Sequence, residues 1–469
     1  MAITVEPLSN AYGDALPTVL PPVERRAVLP TGFVAAGGVA GIKASGRPDL
    51  ALIATARRPD GVRPPAAVAA VFTPNAFAAA PDRLSHAHRA ATDPAGGGRF
   101  GWATGVISTS GCANAATGAA GDADQVVVAG ILAEVLGTEE SQTLLLSTGI
   151  IGTRLPLDIV RAGVAALAPA LAASDDGLAA AAEALRTTDS VVKVATVSIA
   201  LPDLDGQGVR VVRVTGIAKG VGMIHPRMAT MLSIVLTDAT VDPATLHGLL
   251  RPAAARTWDQ LSVDGDTSTN DTVFVLASGT AGTAPVSAGT RDAAELGRAI
   301  EAVARDLARQ QAADGEGATT LLTCQVSGAA DDADARAVAR AVISSSLVKA
   351  AAHGRDPNWG RIAGAAGNAV LADEAVLVAG GLAAGAARDR AGTAANVDPD
   401  QLRISIAGHL VFDGPSGGPV VFDKGVTRAA MDGPEMLIRL DLGLGIGTGE
   451  AFGCDLTETY VTENSEYTT

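Results

Sequence analysis

The chain is poor in aromatic side chains, which make up 3% of its 469 residues, and it contains three cysteines. A core with so few rings is built from alanine, valine, leucine and isoleucine, so its packing rests on many small contacts. Cys112, Cys324 and Cys454 are far apart and form no C-x-x-C pair. This spacing argues against a disulfide framework or a zinc site and favours buried structural thiols in a reducing cytoplasm.

Positive charge and long apolar runs are scarce as well. Acidic residues outnumber basic ones by 50 to 35, the net charge is −15, and no cluster of Lys and Arg interrupts this balance. The chain therefore lacks the electrostatic surface that nucleic acid or anionic lipid requires. No apolar stretch reaches the roughly 20 residues of a membrane span, and the N-terminal segment has no apolar core typical of a secretory signal. We expect a cytoplasmic protein with no nucleic-acid or membrane partner.

What the chain does have is a 48% hydrophobic composition and 54 glycines, which imply many tight turns and close backbone approaches. Its length predicts two domains, or one domain with a second, smaller lobe. The proline-rich residues 1–30 are predicted to be a loose lead-in. From Thr31 onward, short apolar runs bounded by glycine and proline predict buried strands, and the fold class is mixed α/β with sheets covered by helices.

Several elements can be placed from the pattern. Residues 191–199 and 209–214 predict a hairpin, and strands at 231–241 and 273–276 flank a helical crossover at 245–262. Helical spacing of apolar residues predicts helices at 126–136, 296–307 and 334–343. Residues 403–412 and 436–445 are predicted to be antiparallel strands, and the Ala/Gly-rich segment 380–396 a mobile insertion.

The segment richest in chemistry is GIAKGVGMIHPRMATMLSIVLTDA, residues 216–239. A threonine in such a segment is ordinarily a strand residue. The functional interpretation makes Thr230 a nucleophile, which needs an adjacent base because a hydroxyl is weak at neutral pH. Cleavage of the chain between Ala229 and Thr230, by attack of the Thr230 hydroxyl on the Ala229 carbonyl, would free an α-amine to serve as that base.

Acyl transfer also needs hydrogen-bond donors aimed at the developing oxyanion. The run LLLSTGIIGT, residues 144–153, ends a predicted strand with Ser147, Thr148 and Gly149. A hydroxyl and a backbone N–H at consecutive residues can point at one oxygen. The alternative is a routine glycine-containing turn after a strand.

Other polar clusters give weaker signals. Asp264, Asp266 and Asp271 are spaced closely enough to suggest Ca²⁺ or Mg²⁺, but the segment lacks the full twelve-residue loop, so a polar turn network is favoured and no metal is expected. Residues 443–450 (GLGIGTGE) lack the Lys-Ser/Thr ending of a phosphate loop. His225 lies near Thr230 in the sequence, but one histidine near one threonine is not a triad.

Taken together, these segments resemble the glutamate N-acetyltransferase/ornithine acetyltransferase family of arginine biosynthesis. The ordered matches run from Gly32 to Thr469 and include GFVAAGGVAGIKASGRPDLALI, AVFTPNAFAAAP, LLSTGIIGTRLP, RTTDSVVK, GIAKGVGMIHPRMATML, SVDGDTSTNDT, DGEGATTLL, SSSLVKAAAHGRDPNWGRIAGAAG and GCDLTETYVTENSEYTT. No single string is decisive, but the ordered set is specific.

The resemblance implies roles for individual residues. It makes Thr230 the nucleophile, Ala229–Thr230 the cleavage site, and Thr148 with Gly149 the oxyanion hole. It divides the protein into an α chain, 31–229, which carries the oxyanion hole and substrate contacts, and a β chain, 230–469, and it implies two copies of each. It needs no cofactor. The implied substrate contacts are Lys219, Thr230, Glu316, Asn464, Thr469 and one of Thr187 and Thr188.

The implied activity moves acetyl from N2-acetyl-L-ornithine to L-glutamate through an acetyl-Thr230 ester, and some family members also accept acetyl-CoA. Two alternatives stay open: an N-terminal-nucleophile amidase or aminopeptidase with water as the acceptor, and an uncleaved, non-catalytic paralogue. Arg227 stands where the family pattern has Asn, which is the one feature that favours the paralogue. Cys112 also replaces a frequent Asn, with little expected consequence.

Overall fold

Three β-sheets, with helices between and outside them, organise residues 19–225 and 231–465, which are the residues that the computed structural model describes. The described strands are β1 (Phe33–Gly38), β2 (Leu50–Thr55), β3 (Ala66–Phe72), β4 (Phe100–Ala103), β5 (Gly105–Cys112), β6 (Thr143–Ile150), β7 (Lys193–Pro202), β8 (Val209–Lys219), β9 (Leu232–Thr237), β10 (Leu261–Ser262), β11 (Thr272–Ala277), β12 (Leu321–Ala329), β13 (Arg403–Ile406), β14 (His409–Asp413), β15 (Gly418–Pro419), β16 (Glu435–Asp441) and β17 (Gly447–Cys454).

The helices connect and cover these strands, so the predicted mixed α/β class is confirmed. The described helices are α1 (Ala80–Ala91), α2 (Gly118–Leu136), α3 (Leu157–Leu167), α4 (Asp175–Leu185), α5 (Pro243–Arg256), α6 (Arg291–Ala313), α7 (Asp332–Ser344), α8 (Ser346–His353), α9 (Trp359–Gly367), α10 (Glu374–Ala379), α11 (Ala384–Arg390), α12 (Lys424–Ala430) and α13 (Glu458–Ser465).

A four-stranded sheet, β1-β2-β5-β6, and a six-stranded sheet, β4-β3-β11-β9-β8-β7, face each other across one core. Side chains alternate between faces along each strand. On β11, Phe274 and Leu276 therefore point into the shared core, while Val273 and Val275 point to the opposite side. Both faces are covered, which explains why these strands read as continuous apolar runs in the sequence.

Helices cover the outer faces of this pair and separate it from the third sheet. Helices α2 and α3 pack on the four-stranded sheet, and α5 and α6 pack on the six-stranded sheet. The seven-stranded sheet, β10-β17-β12-β16-β13-β14-β15, lies on the other side of α6. There Arg305 of α6 forms a buried ion pair with Glu450 of β17, and α7 covers the sheet's opposite face.

Most of the predicted elements are confirmed, with changes at their ends. The hairpin is β7–β8, paired from Lys193–Ala218 to Pro202–Val209. The crossover joins the parallel strands β9 and β11, but its helix ends at Arg256 rather than continuing to residue 262. The helix predicted at 126–136 begins earlier, at Gly118, and ends at Gly137, whose φ of 69° is the left-handed cap that glycine supplies.

Two predictions are corrected by the structure. Residues 403–412 form a hairpin, β13–β14, rather than one strand, because Ala407 and Gly408 adopt φ values of 47° and 84° and reverse the chain. The segment 380–396 is not a loose insertion: it contains α11, and Arg390 and Asn396 both hydrogen-bond to the Asp334 carboxylate. A buried carboxylate with several donors ties this segment to α7.

Residues 19–30, the described part of the predicted lead-in, are attached to the body of the protein. Arg25 pairs with the buried Asp306 of α6 at 2.8 Å, and Glu24 bridges to Thr196. Cys112, Cys324 and Cys454, all of which lie in the described part, are buried and form no disulfide. Across the described ranges, no helix has the combined length and apolar character of a membrane span.

Candidate active site

A cleft of about 110 Å³ opens where the last residues of β6 and β8 approach each other from two different sheets. The described residues for which the family resemblance implies an oxyanion or substrate-binding role all line this cleft. Its lining is Ala113, Thr148, Gly149, Ile151, Thr187, Thr188, Lys219, Val221, Gly222, Met223, Ser268, Thr269, Asn270, Glu316 and Asn464.

Thr148 and Gly149 sit at the end of β6, and their neighbours fix how they face the cleft. The ammonium group of Lys219 donates a hydrogen bond of 2.9 Å to Thr148 Oγ1. Gly149 has φ of 124°, and a Cβ there would lie 2.4 Å from the carbonyl carbon of Gly111, so only glycine fits. Ser147 instead accepts a hydrogen bond from Thr109 inside the sheet.

Glu316 forms the opposite wall and is held by two side chains. Thr188 Oγ1 donates to Glu316 Oε1 at 3.0 Å, and Asn464 Nδ2 donates to Glu316 Oε2 at 3.0 Å. The backbone N–H of Glu316 donates to Val221 O, which fixes this loop to the segment after β8. The resemblance left Thr187 and Thr188 undecided; Thr188 contributes its hydroxyl to this cluster, whereas Thr187 contributes its backbone N–H to Asp189.

Lys219 is buried among charges of both signs. Burial lowers its pKa from the ordinary value, the carboxylates of Asp189, Asp271 and Glu316 raise it, and the ammonium of Lys193 lowers it further. For Asp189, burial by itself raises the pKa, but Lys193 and Lys219 more than offset this and hold the pKa well below its usual range. Asp189 is therefore a buried, charged carboxylate directly behind the cleft.

Four of the predicted positions, Arg227, Ala229, Thr230 and Thr469, lie outside the described residues. The chain re-enters the described part at Met231, which is buried and whose carbonyl accepts a hydrogen bond from Thr272 N. The next residue, Leu232, begins β9 and pairs with Lys219 across the sheet. Met231 is therefore the described residue nearest in sequence to Thr230, and its neighbour Leu232 pairs directly with Lys219.

The weaker candidates fall elsewhere. His225 Nδ1 lies 3.0 Å from Ser262 Oγ, and His225 does not belong to the described lining of the cleft. Asp264 accepts hydrogen bonds from the backbone N–H groups of Met223, Ile224 and Asp266, so the predicted polar turn network is confirmed. Within the described residues, no group of three or more His, Cys, Asp or Glu side chains is arranged to hold a metal ion.

The glycines of 443–450 serve packing. A Cβ at Gly447 would lie 2.2 Å from the carbonyl carbon of Asp331, and one at Gly449 would lie 2.7 Å from the backbone nitrogen of Arg336. Strand β17 therefore approaches α7 more closely than a side chain would permit.

Some cleft residues were missed by the sequence analysis. Asn270 donates from Nδ2 to both Ala113 O and Ser147 O at 2.8 Å, and so ties the end of β6 to the loop before β11. Gly222 approaches Glu316 so closely that a Cβ would lie 2.3 Å from Oε2. The segment STND around Asn270 did carry a polar signal, which was interpreted only as a turn. For Gly222 no local signal distinguishes it from other loop glycines.

Comparison with known proteins decides the family. The ArgJ family model matches residues 34–469. The chain belongs to the ArgJ family. The "Arginine biosynthesis bifunctional protein ArgJ" of Synechococcus is 42% identical over 449 residues, which cover 94% of this chain and 96% of the relative. The ArgJ protein of Deinococcus radiodurans is 40% identical and covers 94% of this chain and 98% of the relative.

Two solved structures are also similar to this chain. The crystal structure of ArgJ from Bacillus halodurans is 36% identical, covers 51% of this chain and 100% of that chain, and gives a TM-score of 0.43. The ornithine acetyltransferase of Mycobacterium tuberculosis, solved in complex with ornithine, is 34% identical, covers 44% of this chain and 97% of that chain, and gives a TM-score of 0.36.

Proposed function

We propose that this ArgJ-family chain is an ornithine acetyltransferase, which moves acetyl from N2-acetyl-L-ornithine to L-glutamate through an ester on Thr230. The observation that carries the proposal is the single cleft that joins Thr148, Gly149 and Lys219 to Thr188, Glu316 and Asn464. Donors for an oxyanion on one wall and a carboxylate for an ammonium on the other are what acyl transfer between amino acids requires.

The nucleophile in this proposal is the hydroxyl of Thr230 after the chain is cut between Ala229 and Thr230. The freed α-amine takes the hydroxyl proton as the oxygen attacks the acetyl carbonyl. The tetrahedral oxyanion accepts hydrogen bonds from the Thr148 hydroxyl and the Gly149 N–H. The amine then returns the proton to the leaving nitrogen, ornithine departs, and the glutamate amine attacks the ester in the reverse sequence.

The contacts of Thr148 support its part in this sequence. A hydroxyl that already accepts a hydrogen bond from Lys219 Nζ keeps its own hydrogen available to donate. Donation from a charged group also polarises the hydroxyl, which strengthens its hydrogen bond to an anion. Lys219 therefore assists the oxyanion hole through Thr148, and its charge also suits the carboxylate of an amino-acid substrate.

The contacts of Glu316 support a role in binding the substrate ammonium. Thr188 and Asn464 each donate to one carboxylate oxygen, which fixes the plane of the carboxylate and leaves further lone pairs for a substrate N–H group. A carboxylate held in this way binds an ammonium ion with little loss of side-chain entropy.

The position of β9 supports the proposed division into two chains. A cut before Thr230 would separate an α chain, 31–229, from a β chain, 230–469. The first described strand of the β chain would start at Leu232, which pairs with Lys219 of the α chain. The central place of β9 in the six-stranded sheet would keep the two chains together after cleavage. We further propose an assembly of two α and two β chains, acting in the cytoplasm on small amino-acid substrates without a cofactor.

Initial-rate kinetics test the reaction. With acetylornithine varied at several fixed glutamate concentrations, reciprocal plots are expected to be parallel, because ornithine leaves before glutamate enters. Acetylornithine alone should give a burst of one ornithine per site, with one acetyl group on the fragment that begins at Thr230, as measured by mass spectrometry. Rapid, sustained ornithine release without glutamate would identify a hydrolase instead. Acetyl-CoA in place of acetylornithine tests the second donor.

A further inference from the structure

Behind the cleft lies a buried charge cluster that the proposed reaction does not use. The ammonium group of Lys193 lies 2.6 Å from Asp189 Oδ1 and 2.6 Å from Asp314 Oδ2. The side chains of Lys193 and Asp189 are fully buried, and that of Asp314 is 2% exposed. Such a group is costly to bury unless every charge is paired, so its presence in the core calls for a specific reason.

Each carboxylate of this cluster lies in a different loop next to the cleft. Asp189 follows Thr188 directly, and it accepts hydrogen bonds from Thr187 N at 3.0 Å and from Gly220 N, next to Lys219, at 2.7 Å. Asp314 comes two residues before Glu316 and accepts a hydrogen bond from Ser190 N at 3.0 Å. Lys193 therefore joins the loop of Thr188 to the loop of Glu316 through a single buried atom.

The cluster extends to the amino group of Lys219. Asp189, Asp314, Lys193 and Lys219 are all buried. The charged groups that act on Lys219 are Asp189, Asp271 and Glu316, which raise its pKa, and Lys193, which lowers it. Loss of the Asp189 carboxylate should therefore lower the pKa of Lys219, whereas loss of the Lys193 ammonium should raise it.

We propose that Lys193, with Asp189 and Asp314, is a positioning residue for the acetyl-transfer site: it holds Thr188 and Glu316 at their hydrogen-bonding distance and sets the charge environment of Lys219. This inference rests on the proposed function, because it assigns the cluster to the part of the same cleft, around Thr188 and Glu316, that would bind the amino-acid substrate. Lys193 itself is not among the residues that line the cleft, so it would act through Thr188 and Glu316.

The test compares three variants of the full chain, Lys193→Met, Lys193→Arg and Asp189→Asn, with a matched control. The control is Arg305→Met, which removes the cation of the buried Arg305–Glu450 ion pair between α6 and β17, away from the cleft. Binding of L-glutamate is measured by calorimetry, and kcat and KM are measured across pH. If the wild-type protein neither binds glutamate nor transfers acetyl, the proposed function fails and the variants are not needed.

Given an active wild type, Lys193→Met is expected to lower kcat/KM by about 10²-fold, mainly through KM for glutamate, because a small displacement of binding groups has effects of that size. The alkaline limb of kcat/KM should move to higher pH in Lys193→Met and to lower pH in Asp189→Asn, since one loses a cation and the other an anion near Lys219. Lys193→Arg should recover part of the activity.

The control separates positioning from general stability. Arg305→Met is expected to lower the melting temperature but to keep the wild-type KM and pH profile. If Lys193→Met does not fold, the isosteric Asp189→Asn variant decides by itself. Glutamate affinity equal to that of the wild type, or an alkaline limb that stays at the same pH in the folded variants, would overturn the inference.

Discussion

Lys219 Nζ donates a 2.9 Å hydrogen bond to Thr148 Oγ1, and this contact joins the end of a strand in the six-stranded sheet to the end of a strand in the four-stranded sheet. The two residues are 71 positions apart. Because each is fixed by its own strand, the relative placement of the two sheets sets the geometry of the proposed oxyanion donors. Catalytic groups on strand ends are held more rigidly than groups on free loops.

The oxyanion hole gives the first prediction. Thr148→Ala removes a donor used mainly in the transition state, so kcat should fall by about 10²-fold or more, with a smaller change in KM. Thr148→Ser keeps the hydroxyl and serves as the control, which should retain most of the activity. Steady-state kinetics on fully matured protein measure both. An unchanged kcat in Thr148→Ala would remove this side chain from the mechanism.

The maturation step gives the second prediction. On a denaturing gel the purified protein should run as two fragments of similar size, and N-terminal sequencing should find Thr230 at the start of one. Thr230→Ala should stay uncut and inactive, because it lacks the attacking hydroxyl. Thr230→Ser keeps a hydroxyl and should still be cut. Full activity in an intact chain would contradict self-cleavage and would also leave the effect of Arg227 to be explained.

The close approach of Gly222 to Glu316 gives the third prediction. A Cβ in Gly222→Ala would lie 2.3 Å from Glu316 Oε2, so the carboxylate must move away from Asn464. We expect KM for acetylornithine, whose side chain carries an ammonium group, to rise by about 10-fold, the size of one charge-assisted hydrogen bond.

Gly248→Ala is the matched control for this substitution. Gly248 lies exposed on α5, and a Cβ there meets nothing within 4 Å. The substitution should leave the kinetics unchanged and raise stability by about 0.5–1 kcal/mol, because alanine is the better helix former. Equal KM values in Gly222→Ala and Gly248→Ala would show that Glu316 does not contact the substrate.

A buried carboxyl group in α1 gives the fourth prediction. Burial raises the pKa of Asp82 to about 8, against the lowering effect of a hydrogen bond donated by Thr272 Oγ1. In the unfolded chain an aspartate has a pKa of about 3.9. Between these two pKa values the folded protein holds a proton that the unfolded chain releases, so this group's contribution to stability falls as pH rises.

Asp82→Asn removes that titration while keeping a similar shape. The melting temperature of the variant should therefore rise relative to the wild type as pH increases from 5 to 8, as measured by thermal denaturation monitored by circular dichroism. A difference in melting temperature that stays constant over this range would contradict a protonated Asp82 in the folded protein.

Local patterns predicted several elements well, for physical reasons visible in the structure. The hairpin β7–β8 has β-branched strands on both sides of a turn rich in Asp and Gly, and α6 has apolar side chains at helical spacing. The hairpin in segment 403–412 was harder to predict, because an alanine such as Ala407 rarely adopts a positive φ. The segment 380–396 was misjudged because its order depends on Asp334, a residue more than forty positions away.

The sequence by itself determined the continuous apolar runs of the strands that are buried on both faces, and it carried the ordered motifs that identify the family. Local chemistry and short spacings are sufficient for both. Only the tertiary structure decided that Thr188 meets Glu316, that Lys219 meets Thr148, and that Lys193 lies between Asp189 and Asp314. The Lys193–Asp314 pair spans 121 positions in the chain. Such contacts depend on how the sheets and α6 pack in space, which no local periodicity encodes.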